Sequence, residues 1–327
     1  MLAMLMVTAV AIAWTRDLFA AVMLAGLYGL VSASFFVAMD AVDVAFTEAA
    51  VGAGITPLLL LVSLRMTGQR EAASHNHPWA ALAIVVVVGV LLVLGEQDMP
   101  AFGSPDAPAH QHVAPHYLQQ SAAEIGIPNV VTSILASYRA FDTLGEVAVI
   151  FTACVGVLAL LVSGLPPDER ARPHAPHSTM EDQIILRVVG KILIPPIMLF
   201  ALYVQFHGEY GPGGGFQAGV IFASAVIVYV MLFGLDAAAR VMSVAWLRFA
   251  AAFGLLLYGA VGVVCLLAGE RFLDYHALLP QPIAAQHTGI LVIELGVGIT
   301  VAAVVILLFF AFVGRLSRPA LPTRHQE

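Results

Sequence analysis

Nine apolar stretches dominate this chain, near residues 1–15, 18–39, 42–65, 79–95, 144–163, 184–206, 216–234, 246–268 and 288–313. Most approach the roughly 20 residues that an α-helix needs to cross a bilayer's hydrocarbon core. With backbone polar groups unable to reach water at that depth, an uninterrupted apolar run has to satisfy its hydrogen bonds internally, as a helix. The expected fold is therefore an all-α integral membrane protein of about nine transmembrane helices. Composition agrees: of 327 residues, 60% are hydrophobic and 11% charged, against about a quarter charged in soluble domains. The first run, MLAMLMVTAVAIAWTRD, has no basic residue ahead of its apolar part and no clear small-residue cleavage site, so it reads as a span rather than a signal peptide.

Charge placement sets the expected orientation. With the N-terminus outside, the inner loops collect Arg16, Arg65, Arg70, Arg170, Arg172, Arg187, Lys191, Arg240, Arg248, Arg315, Arg318 and Arg324, and only Arg139 and Arg271 fall outside. That asymmetry follows the positive-inside rule and puts the C-terminus in the cytoplasm. The net charge of −7 and the single lysine leave no basic stripe of the kind that tracks phosphates, which argues against nucleic acid as a partner. Cys154 and Cys265 each lie in an apolar run and read as small buried hydrophobes, not redox or metal groups.

Residues 164–183, SGLPPDERARPHAPHSTMED, are proline-rich, charged and without apolar periodicity, as expected of a cytoplasmic linker joining a five-helix and a four-helix part. The first part subdivides into residues 1–95 and 96–163, and residues 184–327 form the second. Segment 96–143 is a long outer stretch. It opens on a proline and histidine tract and closes on PNVVTSILASYRAF, where Val130, Ile134 and Leu135 recur at the spacing of a short interfacial helix. His110, His112 and His116 lack a carboxylate or cysteine at a recognisable ligand spacing, so no metal site is expected there.

Ionisable groups inside the spans are the informative residues, since each costs at least about 2.5 kcal/mol at bilayer depth. Glu48 sits in VDVAFTEAAVGAGITP, where Gly52 and Gly54 permit close helix approach or a bulge and Pro57 removes a backbone donor. A carboxyl kept neutral and packed as a hydrogen-bonder is the alternative. Asp142 and Glu146, in FDTLGE, share one face of the fifth span; acids in a first turn also favour the helix dipole without conducting anything. Lys191 lies one turn before Pro195-Pro196, a pair expected to open the backbone ladder, and is either a desolvated proton carrier or a snorkelling cation. Glu294, in HTGILVIELGVGIT, has His287 two turns back on its own face. The loop HGEYGPGGGFQAG invites a phosphate-loop reading but lacks the Lys-Ser or Lys-Thr that would follow. A tight turn using Gly213, Gly214 and Gly215, with a helix beginning near Phe216, explains it better.

Two of these stretches, VDVAFTEAAVGAGI and NVVTSILASYRAFDTLGEVAVIFTACVGVLALL, resemble the carboxy-terminal membrane domain of the large subunit of Mrp-type multisubunit Na+/H+ antiporters. Small subunits of membrane-bound hydrogenases, called D and E, carry the same motifs. A third, RVVGKILIPPIMLFALYVQFHGEYGPGGGFQAG, resembles the Mrp B subunit and the hydrogenase F subunit. The resemblance covers nearly the whole chain in blocks of three, two and four helices. It implies a prokaryotic inner-membrane subunit lying beside large antiporter-like subunits and a small C-type subunit, in contact with lipid and with Na+ or H+, needing no cofactor. It also implies that the first block's third helix bulges and gates proton flow, and that the family's acidic positions fall on Glu48, Asp142 and Glu146. AVDVAFTE departs from the family's AxDVALTE, and fusion of the large subunit's tail to a B subunit departs from the usual arrangement. The family's fourteen-helix antiporter domain is not in this sequence, so a complete antiporter is not expected. The implied role is an accessory subunit contributing to an ion path. A membrane arm of a redox-driven complex and a helical scaffold are the alternatives, and no enzymatic chemistry is expected of the chain itself.

Overall fold

A computed structural model describes residues 1–71, 78–163 and 183–316; the expected linker, residues 164–183, lies outside them but for its last residue. Within the described residues the fold is helical, and the one β-type contact is an isolated bridge between Asp17 and Arg70. The helices are α1 (Leu2–Trp14), α2 (Leu18–Ala38), α3 (Val42–Thr67), α4 (Pro78–Glu96), α5 (Val113–Glu124), α6 (Val130–Ser133), α7 (Ala140–Ser163), α8 (Ile184–His207), α9 (Gly215–Phe233), α10 (Leu235–Val241), α11 (Val244–Leu267) and α12 (Pro282–Leu316). Eight are long and apolar enough to cross a membrane. Helix α1 is apolar but only 13 residues long, about 20 Å, and falls short of the hydrocarbon thickness.

Helices α8, α9, α12 and α11 pack in that order as a row, α9 and α12 forming its centre, and α7 and α3 lie against α12. Small residues set the spacing. A Cβ on Gly219 of α9 would lie 2.8 Å from the Gly298 carbonyl oxygen of α12, and one on Gly254 of α11 would lie 2.9 Å from the Thr300 backbone nitrogen. In lipid, where no hydrophobic effect drives helices together, such close van der Waals approach is the main adhesive. Thr300 adds a hydroxyl bond across the same contact, donating to the Ala251 carbonyl at 3.2 Å.

Two helices depart from α geometry. Over Ala49–Ile55, α3 widens into a π-helix, and the Thr56 N–H reaches back five residues to the Val51 carbonyl. Pro57, just beyond, supplies no N–H, which leaves the preceding turn free to rewind. Gly52 and Gly29 let α2 press against the widened turn, a Cβ on Gly29 falling 2.6 Å from the Gly52 carbonyl carbon. Gly54 is uncrowded by comparison, a Cβ there lying 3.4 Å from the Ala49 oxygen. The second π turn, Ile134–Tyr138, follows α6, where the sequence suggested a single short helix. Buried tyrosines bond carbonyls within it and just after it: the Tyr275 hydroxyl donates to Ala136 O at 2.7 Å and the Tyr258 hydroxyl to Ala140 O, at the start of α7, at 2.8 Å. Burial pushes the Tyr275 phenol well above its ordinary value.

Helix α8 does not break at Pro195-Pro196 but continues through them as one 24-residue helix. A proline's fixed φ is compatible with helix, so each removes one hydrogen bond without ending the turn, and at bilayer depth stopping would strand more groups than continuing. Both cysteines are unpaired and buried. Segments 124–139, 207–214 and 271–287 gather at one end of the bundle, joined by the Tyr275–Ala136 and Asn129–Gly211 bonds.

Candidate functional site: an acid-lined chamber among four helices

Where α3, α7, α9 and α12 meet, the packing opens into a cavity of about 580 Å³ lined by Asp43, Thr47, Thr143, Glu146, Gln217 and Glu294 among others. Each wall carries a polar group for a local reason. Glu294 lies about a third of the way along α12, against the start of α9. The sequence PGGGF gives that start a backbone no other residues would allow: Gly214 has φ of 131°, and a Cβ on it would lie 2.8 Å from Glu294 Oε2. The Gly215 N–H donates to Glu294 Oε2. A carboxylate from a neighbouring helix thus caps α9, where unpaired N–H groups and the helix dipole favour negative charge. Gly213 is needed for packing, a Cβ there lying 2.8 Å from the Val204 carbonyl oxygen.

Asp43 enters from the first turn of α3. Its Oδ1 accepts from the Gly213 N–H at 3.3 Å and from Asn129 Nδ2 at 3.4 Å. Thr47, one turn further, accepts from Gln217 Nε2 at 2.8 Å and so ties α3 to α9. Asn129 is the hub of this end. Its Oδ1 caps α6 through the N–H groups of Val131 and Thr132, while its Nδ2 donates to the carbonyls of Gly208 and Gly211 at 3.2 and 3.0 Å. Thr132 donates to Gly208 O at 2.7 Å, which fastens the glycine loop to α6. Beyond this hub, Tyr138 donates to Glu124; its phenol is raised above the ordinary value by burial first, then by that bond and the Glu124 charge.

Of the acids singled out from the sequence, the structure brings Glu146 and Glu294 into one chamber and leaves three other groups elsewhere. Glu48 folds back over its own π turn, a Cβ on Gly52 lying 2.8 Å from its carboxyl carbon. The π turn Ala49–Ile55 changes the period of α3 beyond Glu48, so four-residue spacing does not give the residues that share its face further along. Asp142 is exposed and paired with Arg139 at 2.6 Å, and the pair does not line the chamber. Lys191 is exposed with its ammonium 5.5 Å above the Phe233 ring. Phe233 closes the far end of α9 from Gly215, about 27 Å along the axis. The groups that sequence reading did not mark are Asp43, Thr47, Asn129, Gln217 and Glu209. Asp43 and Thr47 had a legible cue in their i, i+4 spacing ahead of Glu48; Asn129 and Glu209 sit in loops with no periodic signal. Among the described residues, no three His, Cys, Asp or Glu side chains converge as a metal site. The chamber instead offers carboxylate, hydroxyl and amide oxygens, the donor set of a hard monovalent cation or a proton-carrying water chain.

Comparison with known proteins agrees along the chain's length. Residues 185–307 match a domain related to the MnhB subunit of Na+/H+ antiporter, residues 3–69 match the D subunit of MBH, and residues 80–177 match the E subunit of MBH. The probable K(+)/H(+) antiporter A/B subunit of Rhizobium meliloti (strain 1021) is 29% identical over 287 residues, covering 79% of this chain and 28% of that protein. The putative antiporter subunit mnhB2 of Staphylococcus haemolyticus (strain JCSC1435) is 30% identical, covering 41% of this chain and 96% of the relative. A chain in the structure of the Mrp complex from Dietzia sp. DQ12-45-1b superposes with a TM-score of 0.77 at 26% identity, covering 98% of this chain and 35% of that one. A chain of the membrane-bound sulfane sulfur reductase, an archaeal respiratory membrane complex, gives 0.56 at 26% identity, covering 72% of this chain and 97% of that one. The present sequence thus spans about a third or less of the Rhizobium and Dietzia chains. With eight candidate spans among the described residues and these relatives it is a multi-pass protein of a prokaryotic cell membrane, and it belongs to the family of Mrp-type Na+/H+ antiporter subunits, in the form that fuses the carboxy-terminal part of the large subunit to a B subunit.

Proposed function

We propose that this chain is a membrane subunit of a multisubunit monovalent cation/proton antiporter and that the chamber between α3, α7, α9 and α12 is its share of the ion path. The carrying observation is the convergence of Asp43, Glu146 and Glu294, from three separate helices, on one cavity. Carboxylates in such a place need water, a cation or a proton to be tolerated. Glu294 is the central exchange site: its Oε2 accepts from the Gly215 N–H, and a proton or cation competes for the same oxygens. Glu48, over its π turn, serves an entrance from the α2 side, and Asp142 with Arg139 serves the rim. Lys191, at the opposite end of α9, acts at an interface with the partner antiporter-like and C-type subunits. The partition into residues 1–95, 96–163 and 184–327, an inward-facing linker and an outer N-terminus complete the reading. The chain itself performs no covalent chemistry.

The test is cation-dependent proton exchange in everted vesicles holding the assembled complex with Glu294→Gln. Exchange at the native rate would remove Glu294 from the path. A second reading, a subunit of a redox-driven ion pump, is favoured by the match to the sulfane sulfur reductase chain. Iron–sulfur subunits co-purifying with the chain would support it; antiporter subunits alone would exclude it.

A further inference from the structure

One half-buried titratable pair lies beside the chamber without lining it. Glu209 follows α8 in the glycine loop, and its Oε2 is 2.9 Å from Nδ1 of His287 near the start of α12. Its other oxygen, Oε1, is buried with no hydrogen-bond partner. The side chains differ in access: the carboxylate is 17% exposed and the imidazole 33%. A bare buried carboxylate oxygen is costly when ionised, and a proton on the group removes most of that cost. The pair is therefore built to hold an exchangeable proton, with its imidazole toward solvent and its acid toward the interior. Glu209 is also anchored to the chamber's hub, its backbone carbonyl accepting from the Asn129 N–H at 3.0 Å.

The surrounding groups are acids and further imidazoles. Asp43 of α3 and Glu209 both act electrostatically on Glu294 of α12. His207 and Tyr210 flank Glu209 on its own loop. Asp274 and His276, on the short turn Tyr275–Ala277, reach α12 through Gln286. His287 and Glu294 are seven residues apart on one helix, about 10 Å along the axis, too far for direct proton transfer. Glu209 is the acid that couples to both.

We propose that His287 and Glu209 form the proton-exchange pair of the chamber. His287 accepts a proton from water at Nε2 and releases the one on Nδ1 to Glu209 Oε2. A half-turn of the carboxyl group exchanges its two oxygens, and water carries the proton from Glu209 to the Glu294 carboxylate. The ring regains its starting tautomer when it swings off Glu209, gives the Nε2 proton to water and takes one from water at Nδ1, so that each cycle moves one proton from water to Glu294. Imidazole suits this role because one ring nitrogen can take up a proton while the other gives one up. The inference rests on the chamber being part of the ion path.

The experiment uses everted vesicles of the whole complex and reads maximal exchange rate, apparent cation KM and their pH dependence for Glu209→Gln, His287→Asn, Glu209→Asp and Glu294→Gln. Expected are maximal rates at least about tenfold lower for Glu209→Gln and His287→Asn, a cation KM within about twofold of native, and loss of the near-neutral limb of the pH profile. Glu209→Asp should restore most of the rate. Unchanged rate and pH profile in both variants would overturn the pair's role, as would a KM shift without a rate loss. Where His287→Asn fails to assemble, His287→Gln gives the same reading. The two levels separate cleanly: full exchange in Glu294→Gln removes the chamber from the path, whereas its loss beside unaffected Glu209 and His287 variants removes only the pair.

Discussion

Replacing Gly254 by alanine puts a methyl group where α11 and α12 meet backbone to backbone. The new Cβ would stand 2.9 Å from the Thr300 nitrogen and nearer still to the Gly296 carbonyl and the Thr300 hydroxyl. The favourable carbon contact distance is at least ~3.5 Å, so α11 must retreat by about 0.6 Å or more. None of the three obstructing atoms lies at the far end of a flexible side chain. Overpacking of this kind costs about 1–3 kcal/mol. Alanine also favours helix over glycine by up to about 1 kcal/mol, which would mask part of the loss. Gly259, on the same helix, isolates that offset because a Cβ there meets nothing within 4 Å. The two variants should therefore differ by the packing contribution, about 1–3 kcal/mol, or on the order of 5 °C in thermal midpoint. Thermal unfolding of the purified chain in one detergent measures it. If Gly254→Ala proves as stable as Gly259→Ala, the close contact is not what holds these helices, and the account of α12's position, with Glu294 on it, fails.

Gly214→Ala is expected to cost about 1–3 kcal/mol and to lower exchange in vesicles, because it combines an unfavourable φ with a methyl group 2.8 Å from Glu294 Oε2; native stability and rate would refute this. Tyr275→Phe strands the buried Ala136 carbonyl and should lower stability by about 1–3 kcal/mol, read by thermal unfolding. The Tyr275 phenol has its folded pKa raised above the ordinary value of 10.0. Its contribution is thus complete below pH ~10 and declines above it, and the variant should lack that alkaline decline. Lys191→Met, exposed and remote from the chamber, should change the exchange rate by less than about threefold, consistent with an exposed cation–π contact of ~0.5–1 kcal/mol.

Glu294 and Glu146 were legible because an acid in an apolar run violates a strong compositional rule, whatever surrounds it. Lys191 and Glu48 violated it equally, yet neither joins the chamber. For Lys191 the reason is that α8 carries it to the end of α9 remote from Gly215, a matter of helix direction. For Glu48 it is the π turn, which defeats any argument from α spacing. The Pro195-Pro196 pair was legible as a loss of donors but not as a continuous helix, since continuity depends on what an interruption would expose to lipid.

The sequence by itself determined that the chain is helical and crosses a membrane several times, because a bilayer leaves an apolar run of that length no other way to satisfy its backbone. It also marked the glycines at which helices crowd, since only the absence of a side chain permits that approach. Which acids face one another was decided by tertiary structure alone. Asp43, Glu146 and Glu294 lie up to 251 positions apart in the chain. Their meeting depends on how α3, α7, α9 and α12 turn about their axes when packed, which no local pattern encodes.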